Sequence, residues 1–204
     1  MAVKPRNGVG GKGFRMIDVN DDLPEIYREL ILEPPLIAEE YIFQTGLLHE
    51  LNPSSVNTVR LITLRNKDAI LLLDAYVRIG RVGSLTDNFH TRGVTAEVRM
   101  ADGLMLDGEQ AVRNHLSCHP DSGVRFSGET IPRWGEVVDL CIRAHEIAPE
   151  GLDLIGWDVC VDETHLLLIE GNNTPGFGAY RKGNPNGWKL FKEYLNEAEK
   201  AGRL

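Results

Sequence analysis

Positive charge is the first thing this sequence is short of. Lys and Arg number 22 against 30 Asp and Glu, for a net charge of −8. A general nucleic-acid binder needs a basic surface to neutralise phosphates, so that class is excluded. A nucleotide pocket with a few local cations is not. Cysteine is scarce as well: Cys118, Cys141 and Cys160 are odd in number and form no CxxC pair, which leaves neither a disulfide framework nor a zinc site. No apolar run approaches the length needed to span a bilayer, and membrane insertion is not expected. The glycine-rich, polar N-terminus has no apolar core of a secretory signal, so a cytoplasmic location is expected. No nucleophile sits in a recognisable elbow, and no Ser-His-Asp or Cys-His arrangement is visible. His115 and His119 have ligand-like spacing, but there is no HExxH glutamate and Pro120 breaks the helix, so loop or surface roles are expected.

What remains is an ordinary globular composition in 204 residues, 42% hydrophobic and 25% charged, enough for one large domain or two small ones. The most informative stretch is Gly156–Gly178, GWDVCVDETHLLLIEGNNTPGFG. A short apolar strand carries Asp158. A polar turn follows, and a second apolar strand, Leu166–Ile169, runs into Glu170-Gly171-Asn172. Alternation puts Glu170 and Asn172 on one face. A turn of about three residues would bring Asp158 opposite Glu170 on that face. Two carboxylates and an amide oxygen form a hard-donor set of the kind Mg²⁺ takes. The competing reading is a surface hairpin with solvated acids at its end.

Near the N-terminus, Met1–Pro5 reads as a strand end carrying Lys4. The loop Arg6–Phe14 follows, with Gly8, Gly10, Gly11 and Gly13. Gly8, Gly10 and Gly13 match G-x-G-x-x-G in form, but the dinucleotide motif must open a helix. Here Phe14–Val19 alternates as a strand. Lys12 is followed by Gly13, not Ser or Thr, so this is not a Walker A loop. A strand, glycine loop and strand make a flap whose N–H groups can close over phosphates, with Lys4 as a point charge.

Asn20-Asp21-Asp22 and Pro24 start a helix that Pro34-Pro35 ends, and Leu36–Ile42 reads as a strand ending Glu39-Glu40-Tyr41-Ile42. Thr58–Leu64 and Ala69–Ile79 are two long strands joined by Asn66-Lys67-Asp68. Arg60 and Arg78 fall on one face with Asp74 between them: either a salt-bridge ladder or a cationic wall for phosphate or carboxylate. The loop Asp87–Val94 leads to a strand at Thr95–Met100, and Ala101-Asp102-Gly103 is a hairpin turn. Trp134 opens a helix with Val137, Val138, Cys141, Ile142 and an edge-packed His145 inward. Thr174–Lys182 is a glycine-broken loop bearing Tyr180, Arg181 and Lys182. The closing helix, Trp188–Ala201, carries a packing stripe.

The Lys4 strand with its glycine loop, LIAEEYI, SVNTVRLIT and GWDV…LIEGNN occur in an order that resembles the nucleotide-binding part of the ATP-grasp superfamily. The set is most similar to the sugar-transfer-associated ATP-grasp proteins. The resemblance implies an α+β ATP-grasp fold of mostly antiparallel sheets with packed helices. Residues 1–42 would form a glycine-loop subdomain and residues 43–204 a C-terminal subdomain with the metal hairpin. In such enzymes the two subdomains hold ATP between them. By the same resemblance Lys4 and the loop glycines contact phosphates, Glu39, Glu40, Tyr41 and Ile42 line the adenine pocket, and Asp158, Glu170 and Asn172 bind Mg²⁺. Arg60, with Arg78 beside it, approaches the transferring phosphoryl group. The implied reaction joins a small carboxylate to an amine or thiol through an acylphosphate, in surface polysaccharide biosynthesis. The family's N-terminal domain and its additional upstream lysine have no counterpart here. An N-terminally truncated fold is therefore expected, completed by another domain or an oligomer, with a catalytically incomplete nucleotide-binding module as the alternative. The acid that holds the ribose in many relatives is replaced near Gly46-Leu47.

Overall fold

The computed structural model describes residues 1–7, 13–32, 35–67, 69–87, 93–110, 114–176 and 183–202. Gly8, Gly10 and Gly11 of the glycine loop lie outside them, as do Asn88–Arg92 and the loop cations Arg181 and Lys182. The chain divides into two compact units, Met1–Phe43 and Gln44–Leu204.

In the first unit, β1 (Ala2–Pro5) lies between β2 (Arg15–Met16) and β3 (Leu36–Glu39), antiparallel to both. Helix α1 (Leu23–Leu30) begins where the sequence asks: the Asp22 carboxylate accepts the Glu25 amide at 3.0 Å, and Pro24 occupies the first turn. Two strands are shorter than expected. β3 stops at Glu39, whose partner is Ala2, and Met1 bonds on the other side, its amino group donating to the Ile17 carbonyl at 2.9 Å. β2 is reduced to two residues beside the strand that carries Lys4. Gly13 has φ +77, and a Cβ there would stand 2.7 Å from the Pro5 ring, so only glycine returns the loop to the sheet.

The second unit is built on a seven-stranded sheet in the order β10-β9-β4-β5-β6-β7-β8, with every pairing antiparallel. Its strands are β4 (Thr58–Asn66), β5 (Ala69–Ile79), β6 (Val94–Val98), β7 (Met105–Gln110), β8 (Asn114–Leu116), β9 (Leu154–Val161) and β10 (Leu166–Asn172). Alternation sends Val59, Leu61, Val77, Ala96, Trp157 and Val159 to one face, where α2 (Gly46–Leu51) and α3 (Trp134–Glu146) cover them with Leu48, Leu51, Trp134, Val137 and Cys141. On the opposite face, α4 (Gly187–Lys200) packs Leu190, Phe191 and Tyr194 over Ile62, Leu64 and Leu73. Helix α2 and strands β7 and β8 are not anticipated by the sequence patterns. The fold is thus mixed helix and antiparallel sheet. Among the described residues no helix is long and apolar enough to cross a membrane.

Two histidines are more deeply placed than their local sequence implies. His145 is fully buried, not packed at an edge. Its Nε2 faces the Leu152 carbonyl at 3.0 Å and its Nδ1 the Thr63 hydroxyl at 2.6 Å, while Trp157 Nε1 donates to the same hydroxyl. His119 sits in a loop as expected but is also fully buried, 2.9 Å from the Gly80 carbonyl; His115 is exposed beside Asp107. Burial pushes the His145 and His119 pKa values down, so both rings are held neutral.

Candidate functional site

The face of the large sheet away from α3 carries one continuous row of polar side chains. Glu170 of β10 pairs with Asp158 of β9, Asp158 with Arg60 of β4, Arg60 with Tyr76 of β5, and Tyr76 with Glu97 of β6. In the neighbouring row Thr58 pairs with Arg78, and Arg78 with Thr95. Residues that far apart in the chain meet because β9 adds to the free edge of β4. The expected opposition of Asp158 and Glu170 is present, but by a different route. The turn is four residues, Asp162–His165, and a bulge at Ile169 then shifts the register by one. Without that extra residue Glu170 would face the side occupied by Trp157 in the core. The turn itself is pinned by the buried Asp162 carboxylate, which accepts the Thr164 and His165 amides at 2.7 Å and the Thr45 amide at 2.8 Å.

The two arginines share one acid, and it is Asp158, not Asp74. Arg60 grips Asp158 with two parallel hydrogen bonds, Nη2 to Oδ2 at 2.6 Å and Nε to Oδ1. Arg78 Nη1 reaches Asp158 Oδ2 at 2.5 Å, and its Nη2 reaches Asp87 at 3.2 Å. Asp87 in turn accepts the Thr58 amide at 3.1 Å and the Thr58 hydroxyl at 2.5 Å. Arg60, Asp158 and Asp87 are only 7%, 2% and 8% exposed. Burial works against the Arg60 charge, but the bidentate carboxylate more than offsets it and the guanidinium pKa rises. Burial raises the Asp87 pKa against the opposing pull of Arg78 and Thr58. Asp74 lies on the same face, opposite Ile62, with its Oδ1 on the Ala75 amide at 2.9 Å. Alternation brings Asp74 and Arg78 to one face, but the partner across the sheet comes from a strand that no local pattern points to.

Glu170 is exposed and Asn172 half-buried; Asn172 Nδ2 donates to Glu170 Oε1 at 3.1 Å, confirming that both point the same way. Their remaining oxygens are hard donors suited to Mg²⁺. Asp158 already accepts three of the roughly four hydrogen bonds a carboxylate can take. The oxygen chemistry therefore fits a magnesium ion at Glu170 and Asn172, with Asp158 occupied by arginine. Among the described residues no three His, Cys, Asp or Glu side chains converge as a metal cluster. Gly156 allows the chain after β10 to close in: a Cβ there would stand 2.5 Å from Pro175 and 3.1 Å from the Arg60 side chain. Tyr76 holds the same segment by donating to the Gly176 carbonyl at 3.2 Å.

In the first unit, Lys4 and Glu39 form an ion pair at 2.7 Å. Glu39, Glu40 and Tyr41 line an open cavity of about 490 Å³ with Met1, Ala38 and Phe43; Ile42 does not line it. The Tyr41 and Phe43 rings meet edge to face, and burial pushes the Tyr41 phenol pKa up.

Residues 26–193 match the family described as sugar-transfer associated ATP-grasp. The match covers well over half of the chain, which belongs to that family of nucleotide-binding domains. Arg60, Arg78, Asp158, Glu170, Asn172 and Glu39–Ile42 fall within the matched span, while Lys4 and the glycine loop precede it. No curated protein and no solved structure matches the chain. Thr58 and Asp87 were not expected as site residues. The signals for them are that Thr58 lies two residues from Arg60 on its face of the strand, and that Asp87 opens the polar loop beside Arg78, which reads either as a plain connection or as a phosphate or acceptor contact.

Proposed function

We propose that this protein is an ATP- and Mg²⁺-dependent ligase that activates a small carboxylate as its acylphosphate for attack by an amine or thiol. Its setting would be cytoplasmic steps of surface polysaccharide biosynthesis. The observation that carries the reading is the ladder row in which Glu170 and Asp158 stand opposite each other beside Arg60 and Arg78. Family membership supports the nucleotide.

In this reading Glu170 and Asn172 hold the magnesium ion, which supplies charge neutralisation on the phosphates. Arg60 and Arg78 present planar donor forks to phosphoryl oxygens and orient them. Lys4 and the loop glycines Gly8, Gly10, Gly11 and Gly13 bind phosphates, and Glu39, Glu40 and Tyr41 bind the base, with Ile42 adjoining. A substrate carboxylate oxygen bonds to the γ-phosphorus and ADP leaves. The amine or thiol then bonds to the carbonyl carbon, inorganic phosphate leaves, and the proton passes to solvent. Rate comes from positioning and electrostatics, so no protein nucleophile is needed. A second reading, a nucleotide-binding module without turnover, draws on the engagement of Asp158 by both arginines.

Calorimetric titration with a non-hydrolysable Mg²⁺-ATP analogue tests the site: Glu170→Gln should weaken binding at least about tenfold, the scale of a lost metal-shell interaction. Unchanged affinity would remove Glu170 from the metal site. Incubation with ATP, candidate carboxylates and hydroxylamine should yield a hydroxamate. Nucleotide binding without hydroxamate selects the second reading.

A further inference from the structure

The two carboxylates that face each other across β9 and β10 are in unequal states. Glu170 is exposed, and among the described residues Asn172 alone hydrogen-bonds to its side chain. Asp158 is 2% exposed and takes three hydrogen bonds from two guanidinium groups. A cation that needs both cannot take the second while the arginines hold it.

The arginines differ too. Arg78 has a second acid, Asp87, itself fixed by the Thr58 amide and hydroxyl, so it stays paired if it lets Asp158 go. Arg60 hydrogen-bonds to no acid other than Asp158 among the described residues, and it is 7% exposed. Taking Asp158 away leaves a buried guanidinium with no hydrogen-bonded acid and only the longer-range pull of Asp87, an arrangement that is strongly disfavoured. A metal ion alone therefore has to strand Arg60 in order to gain Asp158. An incoming anion removes that obstacle. The exchange conserves pairing: Arg60 passes from Asp158 to the anion, and Asp158 passes from Arg60 to the cation.

We propose that the Arg60–Asp158–Arg78 cluster is a latch opened by a tetrahedral oxyanion, so that anion binding creates the Asp158 half of the divalent-cation site and the two ligands bind with positive coupling. The proposal rests on the Mg²⁺-nucleotide reading above. It adds that the protein itself, not only the metal–nucleotide complex in solution, makes the two ligands cooperative. By linkage the coupling is reciprocal.

The test uses Mn²⁺ as the metal and inorganic sulfate as the anion, because sulfate chelates Mn²⁺ weakly. Free Mn²⁺ is read from its electron paramagnetic resonance signal on the full chain, with chloride at matched ionic strength as control. The wild type in chloride should bind Mn²⁺ weakly, through Glu170 and not Asp158: Glu170→Gln weakens it and Asp158→Asn does not. Sulfate should tighten Mn²⁺ binding by about tenfold, within the usual 5- to 150-fold range of coupling, and Asp158→Asn should abolish that gain. Arg60→Met should show the tighter binding in chloride, with little further effect of sulfate. If Asp158→Asn proves unstable, the Arg60→Met/Asp158→Asn double variant removes both buried charges and should lose what Arg60→Met gained. Equal weakening by Asp158→Asn with and without sulfate overturns the latch, and so does a wild type indifferent to sulfate. In both results Glu170-dependent Mn²⁺ binding survives, leaving the metal reading intact. Absence of Glu170-dependent binding in every arm overturns both.

Discussion

Replacing Asp74 by Asn should stabilise this protein at neutral pH, and the size of the effect follows from where the carboxyl sits. Asp74 is 2% exposed, and its one hydrogen bond among the described residues comes from the next amide in the chain. Burial is the largest influence, with Glu97 adding like charge, and together they push the pKa from 3.8 up to about 8. A group whose pKa is raised on folding binds its proton more tightly in the native state. Between about pH 4 and 8 the unfolded chain has lost a proton that the native state keeps, and stability falls by about 1.4 kcal/mol per pH unit. At pH 7 the accumulated cost reaches at most about 4 kcal/mol, a large part of the 5–15 kcal/mol typical of a folded domain. Asparagine matches the volume, keeps an acceptor for the Ala75 amide and has no proton to lose. The Asp74→Asn variant should therefore gain most at pH 7–8 and nothing near pH 4. Urea unfolding followed by circular dichroism at several pH values checks this, since contributions from other titrating groups cancel between the two proteins. A variant that is less stable at pH 8 and keeps the wild-type pH slope would show that Asp74 is ionised and serves a partner. A neutral Asp74 also adds no negative charge to the face proposed above to bind phosphates.

Gly187→Ala sets two effects of opposite sign against each other. A Cβ at Gly187 would stand 1.8 Å from the Leu73 carbonyl oxygen, backbone that cannot move aside, so α4 must lift from β5. Overpacking of this kind costs about 1–3 kcal/mol, against at most about 1 kcal/mol of helix propensity gained. A measured stabilisation would mean that α4 is not docked as described. Lowering the pH from 7 to 5 should destabilise the fold through His145. Its folded pKa lies below the unfolded value of 6.5, so its stabilisation is present above that pH and lost as pH falls through the folded value. His145→Gln should flatten this part of the stability profile, and an unchanged slope would assign it elsewhere. Lys4→Met should change stability by no more than about 1 kcal/mol, because its pair with Glu39 is well exposed. If Lys4 binds phosphate, the same variant weakens nucleotide affinity; calorimetry separates the two results.

Much of the large sheet could be read from alternation alone. β5 has the bounds its sequence pattern sets, and Glu170 and Asn172 share a face as a period of two requires. The opposition of Asp158 and Glu170 was legible in outcome but not in mechanism, because a four-residue turn and a one-residue bulge compensate each other. What could not be read is pairing over distance. Arg60 and Asp158 are 98 residues apart, and nothing local to either strand says that β9 docks beside β4. For the same reason Asp74, near both arginines in sequence, looked like their partner while Asp158 looked wholly committed to metal. His145 shows the limit for helices: its stripe predicts an inward face, but full burial depends on Thr63 and Leu152 meeting its two ring nitrogens.

The strand order has a consequence for how the chain is made. β4 to β8 neighbour one another in the order in which they are synthesised, whereas β9 and β10 come later and join at the β4 edge. Until they emerge from the ribosome, that edge has no neighbour, and Arg60 lies on it without Asp158. An unpaired edge invites pairing with another nascent chain, and a charged side chain on it is a common deterrent. Arg60, buried in the finished sheet, is at that stage a charged side chain on the β4 edge, of the kind that discourages such pairing.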